Sequence, residues 1–130
     1  MTAFFDTNVL VYAFLDVEKR ARALEALARG GAISAQVLNE FTNVAHKKRR
    51  RSWADIEAAL GVIRERFRDI VPITSATHAA AVALARDHSL SFYDALILAA
   101  ALEAGSETLY SEDFQHGRRF GELTVVNPFV

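Results

Sequence analysis

Residues 92–102, FYDALILAAAL, put apolar side chains on every side of a helical projection, with one carboxylate, Asp94, set among Ile97, Leu98 and Ala101. A helix that is apolar all round is a buried helix, so other elements have to fold around this one. The lone acid is a second constraint, because a carboxylate taken out of water must be hydrogen-bonded, protonated or matched by a cation. A structural role is equally open: Ser91 and Asp94 have capping-box spacing, with Asp where Glu or Gln is usual, and a helix N-terminus favours negative charge.

Short β-prone runs alternate with helical stretches along the chain. Strands are predicted at residues 2–5, 32–33, 70–73, 108–110 and 123–126. Helices are predicted at 8–14, at 18–29 with Gly30 and Gly31 ending it, from a Ser34 cap to 48, and from a Ser52–Asp55 capping box through Phe67. Two more follow, from Thr74 or Ser75 to Arg86 and from Ser91 to Glu103, with a polar loop expected over 112–122. Such alternation implies an α/β fold, a mainly parallel sheet with helices packed on it, whose functional groups collect beyond the carboxyl ends of the strands.

The 130 residues are 52% hydrophobic and 24% charged, which suits one domain over 1–130 with a single core. The absence of cysteine excludes disulfides, thiolate zinc sites and cysteine nucleophiles, and makes the reducing cytoplasm the expected compartment. No cationic lead-in precedes Asp6, so no secretory leader is expected. The apolar runs at 9–15 and 95–102 are far shorter than the roughly 20 residues that cross a bilayer, so no membrane association is expected. A net charge of −1, from 15 Lys and Arg against 16 Asp and Glu, argues against a uniformly basic coat, although the charges are clustered.

Three further acids stand at positions that matter. Asp6 ends the first strand, where it serves either as a helix cap or as a ligand at the sheet edge. Glu40 falls just outside the apolar stripe of Val37 and Val44, half-buried with either a solvated or a functional head. Asp113 follows the 108–110 strand and reads alone as a solvated loop residue. Convergence of these acids with Asp94 at one sheet edge raises their pKa values unless a cation is present, and oxygen-only ligation suits Mg²⁺ or Mn²⁺.

The segments FFDTNVLVYAF, LNEF, FYDALILAAALEAG, TLYSEDFQHG and VVNPF, in this order over essentially the whole chain, resemble the PIN-domain ribonucleases, specifically the VapC-type toxins of bacterial toxin–antitoxin pairs. The resemblance implies a three-layer α/β/α PIN fold and an acidic pocket of Asp6, Glu40, Asp94 and Asp113 holding one or two Mg²⁺, with Mn²⁺ able to substitute. Asp6 and Asp94 are the direct ligands by this comparison, and Glu40 and Asp113 act partly through water. Thr7, Asn8 and Ser111 are then groups that orient ligands or meet phosphate, local capping and turn bonding being the alternative. Glu112 adjoins Asp113 and is its rival for the last acidic position. The cations Lys47, Lys48, Arg49, Arg50 and Arg51, with Arg118, read either as solvated surface or as contacts to RNA phosphates or to an acidic antitoxin segment. Also implied are an endoribonuclease activity as the toxin of a type II system, a homodimer, and a small antitoxin that covers the pocket.

Other chemistries find little support. His46, His78, His88 and His116 lack zinc-binding spacing, and only His116 is considered for substrate contact. No dinucleotide, Walker A or nucleophile-elbow motif occurs. A phosphatase starting from Asp6 meets Asn8 where its second Asp belongs, and a catalytically silent RNA- or protein-binding module is the other alternative. Phe4, Phe5, Phe41 and Phe92 read as core, while Tyr12, Phe14, Trp53 and Phe67 are open to packing or to a subunit interface.

Overall fold

Ala3, Phe4 and Phe5 form β1 (Ala3–Phe5), a strand buried on both faces, as the run of apolar and aromatic residues requires. The computed structural model describes residues 2–130. Helices α1 (Thr7–Phe14), α2 (Arg20–Ala28) and α3 (Ala35–Asn43) follow, and α3 continues into a π-helical turn at Val44–Lys48. Then come α4 (Trp53–Arg66), α5 (Ser75–His88), α6 (Phe92–Glu103), β2 (Thr108–Tyr110), β3 (Arg119–Phe120) and β4 (Leu123–Val126).

The sheet runs β1-β2-β4-β3. Phe4 pairs with Leu109 and Leu109 with Val125 in parallel register, while β3 returns antiparallel to β4. This is the α/β, mainly parallel arrangement expected from the sequence. The strands predicted at 32–33 and 70–73 shrink to single parallel bridges, Phe4 with Ala32 and Ser34 with Val71. Their neighbours explain the truncation. Pro72 has no N–H with which to extend a ladder. Gly31 sits so close to β1 that a Cβ on it would lie 2.5 Å from the Ala3 carbonyl oxygen, at φ +155°, which keeps this position to glycine.

The cap residues act largely as predicted. Val37, Asp55 and Thr77 backbone N–H groups donate to the Ser34, Ser52 and Thr74 hydroxyls at 3.4, 3.1 and 3.2 Å. The reciprocal capping box forms at Thr74 and Thr77 rather than at Ser52 and Asp55. Two regions differ from expectation. The helix predicted to 48 leaves α geometry after Asn43, and Arg49 N–H bonds back to the Val44 carbonyl at 3.0 Å. The loop predicted over 112–122 contains β3, because Phe120 is buried at 5% exposure and Gly121 takes φ +61° in a tight turn to Leu123.

Helix α6 is the buried centre that its composition demands. Ile97, Leu98, Ala100 and Ala101 join the main core with Phe4, Phe5, Leu10 and Leu109. Ala95, Leu96 and Ala99 form a second cluster with Ala81 of α5. Both faces are therefore covered from Ala95 to Ala101, and the two ends reach the surface, Tyr93 and Asp94 in the first turn and Leu102 and Glu103 in the last. Phe4, Phe5 and Phe41 are fully buried and Phe92 packs at the edge of the second cluster, so these four are core as predicted. Phe67 is core at 3% exposure. Tyr12 packs edge-on against Phe129 and Phe14 against Phe41. Trp53 remains 54% exposed with His46 stacked 4.2 Å away. Among the described residues no helix is long and apolar enough to cross a membrane.

Candidate metal centre

From β1 the chain moves to the Ala32 bridge on one side of the sheet, and after α6 it enters β2 on the other side. The crevice between the carboxyl ends of β1 and β2 is thus a topological switch point, where open α/β sheets place their ligands. Asp6 follows β1 and Ser111 follows β2, so strand pairing alone brings them together.

Asp6 is 1% exposed and caps α1, accepting the Thr7 N–H on Oδ1 at 2.7 Å. Its Oδ2 accepts the Ser111 hydroxyl at 2.6 Å, and Ser111 Oγ in turn accepts the Asp113 N–H at 3.0 Å. Asn8 Nδ2 donates to Asp113 Oδ2 at 3.1 Å. Asp94 enters from the first turn of α6, its N–H held by Ser91 Oγ at 3.4 Å. One carboxylate oxygen from each of Asp6, Asp94 and Asp113 lies within 4.8 Å of the other two. Capping and convergence are therefore not alternatives at Asp6 and Asp94: the backbone is capped while the carboxylate joins the cluster.

Glu40 takes a different place from the other three acids. It stands half-buried on α3, accepting Thr7 Oγ1 on Oε1 at 3.1 Å and Gln36 Nε2 on Oε2 at 3.0 Å, outside the oxygen cluster. The expected set of four acids resolves into three converging carboxylates and a neighbour tied to them through Thr7. Gln36, one helical turn before Glu40, was not foreseen as part of the site, and its i, i+4 spacing was the available signal.

Burial pushes the Asp6 carboxyl up to about 7, with Asp113 and Asp94 adding to the rise and the bonds from Ser111 and Thr7 opposing it. Asp113 is also raised, first by partial burial of its carboxyl and then by Asp94 and Glu112, with the Asn8 bond opposing. Asn8 Oδ1 is buried with no hydrogen-bond partner. Three hard carboxylate oxygens, those of Asp6 and Asp113 destabilised as anions, beside an orphaned amide oxygen match the donor set of Mg²⁺ or Mn²⁺ rather than of a softer metal. No salt bridge among the described residues reaches any of the three acids.

Glu112 and Asp113 have different partners, and Asp113 alone of the two joins the carboxylate cluster. Glu112 turns away to accept the Tyr12 hydroxyl at 2.5 Å and Lys19 Nζ at 3.3 Å. The basic run divides in the same way. Arg49 pairs with Asp16 at 3.1 Å and Arg51 donates to the Leu15 carbonyl at 2.9 Å, while Lys47, Lys48 and Arg50 carry no ion pair among the described residues. Lys48 and Arg49 nonetheless line a cleft of about 270 Å³ with Asn8, Glu40 and Asp113. Arg118 lies 4.7 Å over the Phe120 ring. His116 Nδ1 accepts the Asn127 N–H at 2.9 Å, a bond that fixes the last loop instead of leaving that nitrogen for substrate.

Comparison with known proteins agrees with the fold. The family described as PIN domain matches residues 3–119. No curated protein sequence is similar enough to serve as a relative. A toxin-antitoxin complex from Klebsiella pneumoniae contains a chain similar at 30% identity, covering 98% of this chain and 98% of that one with a TM-score of 0.73. VapBC2 from Rickettsia felis, bound to a DNA fragment from its promoter, is similar at 21% identity over 96% of this chain and 97% of its own, with a TM-score of 0.71. Mycobacterium tuberculosis VapC20, a sarcin-ricin loop cleaving toxin, is similar at 20% identity over 88% and 92%, with a TM-score of 0.72. With the family matched from β1 into β3 and the fold shared along nearly the full length, the chain belongs to the PIN-domain family.

Proposed function

We propose that this protein is the toxin of a type II toxin–antitoxin system, an endoribonuclease of the VapC type that hydrolyses RNA phosphodiester bonds with a divalent cation held by Asp6, Asp94 and Asp113. The observation that carries the reading is the convergence of those three carboxylates at the switch point with no cationic side chain among the described residues paired to them. Bound there, Mg²⁺, or Mn²⁺ in its place, supplies neutralisation of phosphate charge and water of lowered pKa.

The side chains then divide the work. Asp6 is the most constrained ligand, both of its oxygens already positioned by hydrogen bonds. Ser111 sets the orientation of Asp6 and Asp113 together. Glu40, held at the rim by Thr7 and Gln36, takes the proton of the attacking water. Asn8 fixes Asp113 and offers its free Oδ1 to the site. Lys48 meets backbone phosphates at the cleft wall, beside Arg49 in its pair with Asp16, with the exposed Lys47 and Arg50 extending that rim. Arg51 and Arg118, engaged locally, contribute at most long-range potential.

Toxin–antitoxin complexes among the structural relatives support an antitoxin partner; that it is small and occludes the acidic cleft, that the toxin is a homodimer and that it works in the cytoplasm belong to the same proposal. The test is cleavage of RNA by the purified protein freed of any antitoxin. Cleavage with Mg²⁺, arrest by EDTA and loss in Asp6→Asn and Asp94→Asn are expected. Activity retained in both variants overturns the reading, RNA bound but never cleaved favours a silent binding module, and hydrolysis of a phosphomonoester without RNA cleavage favours a phosphatase.

A further inference from the structure

We infer that the cleft between α3 and the first turn of α6 is a nucleobase subsite, which seats one unpaired base of the RNA whose phosphodiester lies at the acidic cluster. The inference deepens the nuclease reading above and rests on it. The cleft has a volume of about 610 Å³ and is lined by Gln36, Asn39, Glu40, Asn43 and Tyr93. The four α3 residues fall at i, i+3, i+4 and i+7, which puts them on one helix face. Glu40 also lines the smaller cleft that holds Asp113 and Lys48, so the two clefts share a wall and a strand seated in one has the other beside it.

The chemistry of the larger cleft suits a neutral, planar, polar group. It holds three amides and a phenol, and its only charge is the Glu40 carboxylate, which disfavours a second phosphate. The amides are partly ordered already: Asn39 Nδ2 donates to Gln36 Oε1 at 3.4 Å, and Gln36 Nε2 donates to Glu40 Oε2 at 3.0 Å. Asn43 lies exposed, its amide making no side-chain hydrogen bond among the described residues. That leaves a donor and an acceptor side by side for a base edge. Tyr93, the residue before Asp94, is 61% exposed, an unusual setting for an aromatic ring at the mouth of a polar cleft. Phe92 meets it edge-on with centroids 5.5 Å apart at 71°, and His78 backs Phe92 at 5.4 Å, so the ring is supported. A supported, exposed ring is a stacking platform that accepts any base.

The test measures binding without cleavage, in an Asp94→Asn background that removes both a ligand and one negative charge. The probes are a fluorescein-labelled RNA hexanucleotide and a ribose-phosphate hexamer that lacks every base. Tyr93→Ala is expected to weaken the RNA by about tenfold, the scale of one base–aromatic stack, and to leave the base-free hexamer within about twofold. Tyr93→Phe, which keeps the ring, is expected to bind both probes within about twofold of its parent. Asn39→Ala combined with Asn43→Ala, both on exposed positions, is expected to weaken RNA alone and carries the test should Tyr93→Ala melt early. Equal losses on both probes, or no loss on RNA in either the Tyr93 or the Asn variant, overturn the subsite. Failure of the nuclease reading shows separately, as absence of Mg²⁺-dependent cleavage by the protein with Asp94 intact, whatever the base dependence of binding.

Discussion

Glu112 and Asp113 are adjacent in sequence and opposite in circumstance. Glu112 is neutralised by Lys19 and accepts the Tyr12 hydroxyl, while Lys19 also sits 4.7 Å over the Tyr12 ring. Asp113 faces Asp6 and Asp94, with a single amide donor to its side chain. One carboxylate is satisfied by the protein itself; the other is left among like charges. A chain that neutralises an acid one residue away, and does not do so at the cluster, has the arrangement that the proposed metal centre requires. The comparison is what assigns Asp113 rather than Glu112 to the proposed metal centre.

The largest effect expected from breaking the cluster is on catalysis. Asp6→Asn or Asp94→Asn should lower RNA cleavage by more than about 100-fold, beyond the 10–100-fold typical of outer hydrogen-bond partners, whereas Glu112→Gln should leave cleavage close to wild type. Initial rates on one RNA substrate check both. Ser111→Ala comes next. Losing the donor to Asp6 Oδ2 should weaken Mn²⁺ binding by about 10- to 100-fold and move the activity profile to higher pH, read by titration calorimetry and rate–pH curves.

A stability measurement should then move the opposite way from activity. Asp6 carries a folded-state pKa of about 7 against an ordinary 3.8, so between these values the folded state holds the proton more tightly than the unfolded one. The metal-free protein should therefore lose stability as pH rises through that window. Above 7 the penalty should be on the order of a few kcal/mol. Asp6→Asn should melt higher than wild type at pH 8 without metal. Added Mn²⁺ should raise the wild-type melting temperature more at pH 8 than at pH 5.5, because at low pH it competes with the proton. The smallest effect belongs to the satisfied acid: Tyr12→Phe should cost about 1 kcal/mol with the Mn²⁺-induced shift unchanged.

Much of this contrast was legible in the sequence. An all-apolar helix announces its burial, although Asp94 stands in the first turn, which reaches the surface, so burial of the helix alone does not demand a partner for it; Asp6 at the end of an apolar run sits at a strand's carboxyl edge in any parallel sheet. Caps at Ser34, Ser52, Thr74 and Ser91 are local chemistry, so they were readable one helix at a time. What escaped depends on contacts distant in the chain. The placement of Glu40 outside the cluster is decided by Thr7, 33 residues away, together with Gln36. The separate fates of Glu112 and Asp113 are decided by Tyr12 and Asn8, each about a hundred residues away. The basic run looked uniform, yet Asp16 and the Leu15 carbonyl claim Arg49 and Arg51. Strand β3 was hidden because two residues give no periodicity, with only Phe120 before Gly121 to mark it.

The most direct test is anomalous scattering from crystals of the protein soaked in Mn²⁺. A peak within coordination distance of the Asp6, Asp94 and Asp113 carboxylates, lost in Asp94→Asn crystals, is the predicted result. Occupancy elsewhere on the protein, or no peak at the cluster when Mn²⁺-dependent cleavage is present in solution, would contradict the assignment of those three acids as the metal centre.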